Sequence, residues 1–337
     1  MKKKRGYILS NEAIQKLKEF VDIPVIMAPM FLISNPKMII QACASGIIGT
    51  FPALNARTDE ILEEWMKEIK TELDQLKQDN PHKKIAPWGI NFIVHRSNKR
   101  YIEDLRLIEK YKPPVVITSL GDPSPVTNIV HEYGGVVFSD VINMKFAKKA
   151  IEKGADGLVL VSNGAGGHGG TYNPISFVHE VREMFDGPIA LSGGMSKGED
   201  ILIAEILGAD FAYLGTRFIP AEESGAQDAY KDMIVHSSIE DIIYTDAFSG
   251  VNANYLIPSI INVGLYPENF KKKDEIDFSE LRNTEVKAWK DIWSAGQGIG
   301  SIKKIQTVSE IVKELKDSYH KAIQKAANKK AAMAQKH

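Results

Sequence analysis

Cysteine is nearly missing from this chain. Among 337 residues only Cys43 carries a thiol, which excludes an intrachain disulfide and any multi-cysteine metal site. An excess of charge of either sign is missing too. With 42 Lys+Arg against 43 Asp+Glu the formal net charge is -1, so there is no electrostatic footprint for nucleic acid. No apolar run is long enough to span a bilayer. The basic start, Lys2, Lys3, Lys4 and Arg5, is followed by Asn11, Glu12, Gln15 and Lys16 instead of the apolar core of a signal peptide. No His, Asp or Glu grouping has metal-ligand spacing. What remains, at 44% hydrophobic and 25% charged, is the profile of an ordinary globular protein, expected in the cytoplasm. Oligomeric state stays open, because no heptad stands out.

What is present is alternation. Short β-branched runs, each followed by a helical pattern, lie at Pro24–Pro29, Gly46–Pro52, Trp88–Val94, Val115–Leu120, Val136–Val141, Gly157–Ser162, Pro188–Ser192 and Phe211–Gly215. Most are continuously apolar, as in parallel strands covered on both faces. Eight such runs predict a (β/α)₈ barrel, although a doubly wound sheet looks similar locally. Ala147, Ala150, Ile151 and Gly154 fall on one helical face. The tripeptide Gly154-Ala155-Asp156 recurs two units later as Gly208-Ala209-Asp210. Each Gly is placed to end a helix just before a strand begins.

The regularity stops after Phe218. Residues 219–300 read as a mostly helical excursion, with helices at Gln227–Val235 and Phe278–Ile292, that covers the catalytic face. A last helix from Val308 to Ala327, with Ile311, Val312 and Leu315 on one face, returns to the barrel. The expected division is therefore a barrel of residues 1–218 and 301–337 and a covering subdomain of residues 219–300.

Glycine-rich sites follow three successive strands. They are Asn163-Gly164-Ala165-Gly166-Gly167-His168-Gly169-Gly170, Ser192-Gly193-Gly194 and Gly215-Thr216. The loops after barrel strands seven and eight are the usual phosphate site, and glycine lets backbone amides approach an anion. The alternative is that these glycines only make turns. His168, between paired glycines, has no packing role to play in a helix or strand. With an ordinary pKa of about 6.5 it is suited to moving a proton, unless it only donates to a loop carbonyl. Met27-Ala28-Pro29-Met30 suits a backbone lining the flat face of a ring. Asn91 and Asp140 end the third and fifth strands, facing the site or capping the next helix. Cys43 falls in a helical stretch, not on a catalytic loop.

Together these residues resemble the nitronate monooxygenase family, formerly the 2-nitropropane dioxygenases, which also includes flavin-dependent enoyl-acyl-carrier-protein reductases. The resemblance runs from Pro24 to about Leu315. It is carried by Ala165-Gly166-Gly167-His168-Gly169-Gly170, Leu214-Gly215-Thr216-Arg217-Phe218, Pro87-Trp88-Gly89-Ile90-Asn91-Phe92 and Trp293-Ser294-Ala295-Gly296-Gln297-Gly298. It implies non-covalent FMN contacted by Met30, Asn91, Asp140, Gly193, Gly194, Gly215 and Thr216, with His168 catalytic. Ala28, Pro29, Gly166, Gly167, Ser192 and Gln297 complete the expected cofactor site, and Tyr255 and Gln297 are expected at the substrate. Some members hold lysine or glutamine at the position of Asp140, and many hold glutamate at that of Gly164. The stretch Val251–Tyr255 replaces one that contains arginine. The implied reaction is oxidation of a nitronate with O₂. The alternatives are an NAD(P)H-dependent FMN reductase of enoyl thioesters and a non-catalytic flavin- or phosphate-binding barrel.

Overall fold

The computed structural model describes residue 15 and residues 17–248, 250–267 and 291–334. The basic start and the expected helix Phe278–Ile292, as far as residue 290, lie outside the described residues. The eight apolar runs all form strands: β1 (Val25–Met27), β2 (Ile48–Pro52), β3 (Trp88–Ile93), β4 (Val115–Ser119), β5 (Val136–Val141) and β6 (Gly157–Val161). A two-residue strand outside the barrel, β7 (Gly167–His168), separates these from β8 (Ile189–Ser192) and β9 (Phe211–Leu214). The barrel closes in the order β1-β2-β3-β4-β5-β6-β8-β9, all parallel, and β9 returns to β1 with Tyr213 opposite Ile26. The chain is thus a (β/α)₈ barrel, and the doubly wound alternative is excluded by that closing pair.

The strands are mostly apolar because they are buried on both faces, as in the wholly buried β1 and β2. Each fully buried Val, Ile or Leu contributes roughly 1.5–3 kcal/mol. Outside them lie α1 (Pro36–Ala44), α2 (Asp59–Asp79), α3 (Tyr101–Tyr111), α4 (Ser124–Glu132), α5 (Met144–Glu152), α6 (Pro174–Arg182) and α7 (Gly198–Leu207). Their starts are chemically marked. Asn35, Thr58 and Asn143 cap α1, α2 and α5 by accepting from Met38, Ile61 and Phe146 amides, and Pro36 and Pro174 occupy first helical turns.

The repeated Gly-Ala-Asp has a structural reason. Gly154 and Gly208 have φ of 88° and 103° and end their helices. Each Asp then clamps the start of a neighbouring strand with both its amide and its carboxylate. Asp156 bonds Val137 O at 2.9 Å and Val137 N at 2.8 Å; Asp210 bonds Ile189 O at 2.7 Å and Ile189 N at 2.9 Å. These clamps seal the bottom of the barrel.

After β9 come α8 (Asp228–His236), β10 (Ile242–Thr245), β11 (Ala253–Leu256) and α9 (Ile257–Asn262). The helix expected at Gln227–Val235 is α8, one residue later. The β10–β11 ribbon was not legible from pattern, because its side chains alternate weakly and Phe248–Pro258 reads as turn. The ribbon extends to β7 in a three-stranded antiparallel sheet, order β10-β11-β7. The last helix, α10 (Val308–Ala334), buries Ile311, Val312 and Leu315 and packs between α7 and α1. Arg217, directly after β9, reaches Glu314 on α10 at 2.8 Å.

Candidate active site

A cavity of about 400 Å³ opens at the C-terminal ends of the barrel strands, where barrel loops carry chemistry. Ala28, Pro29 and Met30 enter it from the end of β1, Asn91 from β3 and Asp140 from β5. Gly166, Gly167 and His168 come from the loop after β6; Ser192, Gly193 and Gly194 from the end of β8; Gly215 and Thr216 from beyond β9. The sequence-predicted residues therefore converge, with one exception. Gln297 is exposed and not part of the lining; its amide donates to Gly164 O at 2.9 Å.

The glycine loops interlock at one end of the cavity. Gly193 and Gly194 have φ of 135° and 68°, conformations other residues rarely adopt. The Gly194 amide donates to Gly164 O at 3.1 Å, so in this structure it is already engaged. Thr216 Oγ1 accepts from the Gly296 amide at 2.8 Å, leaving its own proton to donate. Gly296 must be glycine because a Cβ there would sit 2.6 Å from Gly164 O. Among the described residues no loop hydrogen bond takes the amides of Gly193, Gly215 or Thr216. Those three amides and the Thr216 hydroxyl form a cradle whose chemistry fits a phosphoryl group.

His168, read from the sequence as a glycine-loop residue, is placed by strand pairing. It lies opposite Ala253, and Gly167 opposite Asn254, in the β7–β11 ladder. Paired glycines leave a bare backbone edge, and the ribbon adds to that edge. The loop is further clamped by Ser294, whose hydroxyl accepts from the Gly167 amide at 2.6 Å, and by Asn254 Nδ2 on Ala165 O at 2.6 Å. Tyr230 bonds the Ser294 carbonyl and stacks on Trp293 at 4.8 Å. Burial pushes the His168 imidazole down to about 4, so it is neutral at pH 7 and not poised near its free value. A neutral ring offers one N–H and one lone pair.

Asp140 comes from β5, the strand paired with β6. Burial raises Asp140 to about 6, against the lowering effect of a hydrogen bond from Ser119 at 2.6 Å. Tyr213 is pushed well above its ordinary value by burial and by the Asp140 charge. The described lining residues that titrate are Asp140, His168, Tyr213 and Tyr230. Phe31, Leu54, Ile93 and Leu120 give the mouth an apolar wall.

Sequence reasoning missed Tyr213, Tyr230, Ser294, Gly296 and Gly298 as lining residues. Alternation from Phe211 was a signal for Tyr213, since both face the same side of β9. Nothing local marks Tyr230, which arrives from α8. Tyr255, expected at the substrate, is fully buried instead, edge-on to Phe248 at 5.0 Å in a cluster with Ala253 and Ile260. Its aromatic ring is worth more packed than exposed.

The family model described as nitronate monooxygenase matches residues 14–318. The chain belongs to the nitronate monooxygenase family. A nitronate monooxygenase of Neurospora crassa is 25% identical over 89% of this chain and 90% of its own length. A probable nitronate monooxygenase of Staphylococcus haemolyticus is 27% identical over 56% of the chain, and the match spans 58% of that protein. In fold the chain is similar to the nitroalkane oxidase of Streptomyces ansochromogenes, with a TM-score of 0.75 at 21% identity, over 92% of this chain and 99% of that one. As a nitronate monooxygenase family member the protein is a flavin-type oxidoreductase. No described helix is long and apolar enough to cross a membrane.

Proposed function

We propose that the chain binds FMN in this cavity and oxidises alkyl nitronates with O₂ to a carbonyl compound and nitrite, without NAD(P)H. One observation carries the reading: an anion cradle and a buried neutral imidazole share one cavity with an apolar mouth. The cradle of Gly193, Gly215 and Thr216 suits the phosphate, with Gly194, Ser192, Gly166 and Gly167 shaping it. Ala28, Pro29 and Met30 would back the ring, and Asn91 and Asp140 would meet its polar edge. Gln297 would act on the cofactor only through Gly164. Flavin bound there supplies the two-electron acceptor whose reduced form reacts with O₂.

The protein's own part is positioning and proton handling. The neutral His168 ring can donate its N–H to a nitronate oxygen, or its lone pair can take the α-proton of a neutral nitroalkane. A bound anion raises the affinity of His168 for a proton, which favours the first role once substrate arrives. Phe31, Leu54, Ile93 and Leu120 would receive the alkyl group. Residues 219–300 would act as the cover of a barrel made by residues 1–218 and 301–337, since Tyr230, Ser294, Gly296 and Gly298 from that segment line the cavity.

Purified protein that releases FMN on denaturation is the expected outcome for the cofactor. Anaerobic mixing tests the reaction: ethylnitronate or propionate-3-nitronate should bleach the flavin absorption, and NADPH should not. Bleaching by NADPH alone would assign an NAD(P)H-dependent FMN reductase, such as an enoyl-thioester reductase. Bound FMN bleached by neither would leave a non-catalytic binder.

A further inference from the structure

The floor of the cavity carries polar groups arranged in one direction. On the inner face of β5, Phe138 is followed two residues later by Asp140; on that of β9, Phe211 is followed by Tyr213. The Phe138 and Phe211 rings meet edge-on at 6.5 Å and fill the lower layer. Strand alternation therefore puts Asp140 and Tyr213 in the layer above, at the cavity. Asn91 Nδ2 donates to Ile117 O at 3.1 Å and to Ser119 Oγ at 2.7 Å. The single Ser119 proton goes to Asp140 Oδ2 at 2.6 Å. Every donor of this relay is committed. Among the described residues the buried Asp140 Oδ1 has no hydrogen-bond partner, and none engages the Tyr213 hydroxyl.

An orphaned buried acceptor calls for a donor, and an unengaged hydroxyl lining the same cavity calls for an acceptor. That pairing matches an imide edge, an N–H flanked by carbonyl oxygens, and the flavin ring has one such edge. Resting on the cofactor reading above, we propose that Asp140 and Tyr213 read the imide edge of the flavin, Asp140 Oδ1 accepting its N–H and Tyr213 donating to a flanking carbonyl. Burial raises Asp140 only to about 6, so at neutral pH it is ionised and accepts only. Tyr213 keeps its proton. Neither residue is required by packing, since an apolar layer would fill the barrel as well.

The test is binding of FMN and of N3-methyl-FMN to the cofactor-free protein, followed by flavin fluorescence. Asp140→Asn keeps the shape, but the Ser119 proton holds its oxygen, so an NH₂ group faces the cavity. FMN affinity should then fall by about tenfold or more while N3-methyl-FMN affinity stays within about twofold. Tyr213→Phe should weaken both flavins by roughly three- to tenfold, because both keep the carbonyls. Equal losses for the two flavins in Asp140→Asn, or no loss for FMN, would overturn the assignment of Asp140. Unchanged affinities in Tyr213→Phe would overturn that of Tyr213. Should the unmodified protein bind no flavin at all, the cofactor reading falls and takes this one with it. If it binds flavin without distinguishing the methylated form, only the imide reading fails.

Discussion

The two ends of the barrel are built on opposite terms. At the bottom, Asp156 and Asp210 each meet a strand start with two hydrogen bonds, and Arg182 and Lys18 neutralise Asp210 at 2.7 and 2.6 Å. At the top, polar groups are left wanting. The buried side-chain atoms without partners among the described residues belong to Asp104, Asp140, Ser196 and Arg217. Of these, Asp140 lines the cavity, Ser196 and Arg217 follow β8 and β9, and Asp104 lies within α3. Two histidines mark the contrast. His131, at the bottom, is raised by its hydrogen bond to Asp156, whereas burial depresses His168 at the top. One end is satisfied; the other holds, in Asp140, an unsatisfied buried oxygen facing the cavity.

If that division is right, substitutions at the two ends should fail in different ways. The largest effect is expected for His168→Ala: turnover of a nitronate should drop roughly 10²–10⁴-fold. FMN should still bind and the urea midpoint should stay put. Full turnover in that variant would remove His168 from the chemistry. Below the site, Phe138→Ala should cost about 3–5 kcal/mol in urea unfolding, because it empties the lower layer against Phe211. Asp210→Ala strips an acceptor from Ile189 N and Arg182 and should cost about 2 kcal/mol. Its FMN affinity should be unchanged; a large loss of cofactor there would blur the two ends into one.

The histidines give a finer test by proton NMR of the cofactor-free protein. His168 should titrate near pH 4 and His131 above its ordinary 6.5. The signs are opposite. The neutral burial of His168 adds stability above pH 6.5 that is lost as pH falls from 6.5 toward 4. The His131–Asp156 pair adds stability below pH 6.5 that is lost as pH rises through its folded value. An anionic inhibitor in the cavity should move His168 upward and leave His131 alone. The smallest effect concerns Cys43, buried and pushed up to about 12. It should not react with a thiol reagent until the chain unfolds.

The strand set was legible because parallel barrel strands are continuously apolar, and Val115-Val116-Ile117 can hardly be anything else. The cavity residues on strand ends and glycine loops were legible for a related reason: their chemistry has no packing use. The ribbon was not. Ala253-Asn254-Tyr255-Leu256 has too little alternation to announce a strand, and its partner, Gly167–His168, lies far away in sequence. Gln297 and Tyr255 misled because motif position says nothing about which way a side chain points.

The sequence by itself determined the barrel, through eight apolar runs, and the glycine loops, through residues that reach a φ of 135° without strain. Those are local properties, set by the residue and its immediate neighbours. Only the tertiary structure decided that His168 is neutral, that the Gly194 amide is occupied, and that Asp140 faces the cavity with one oxygen unpartnered. Burial and hydrogen-bond partners come from segments distant along the chain, and they exist only once the barrel has closed.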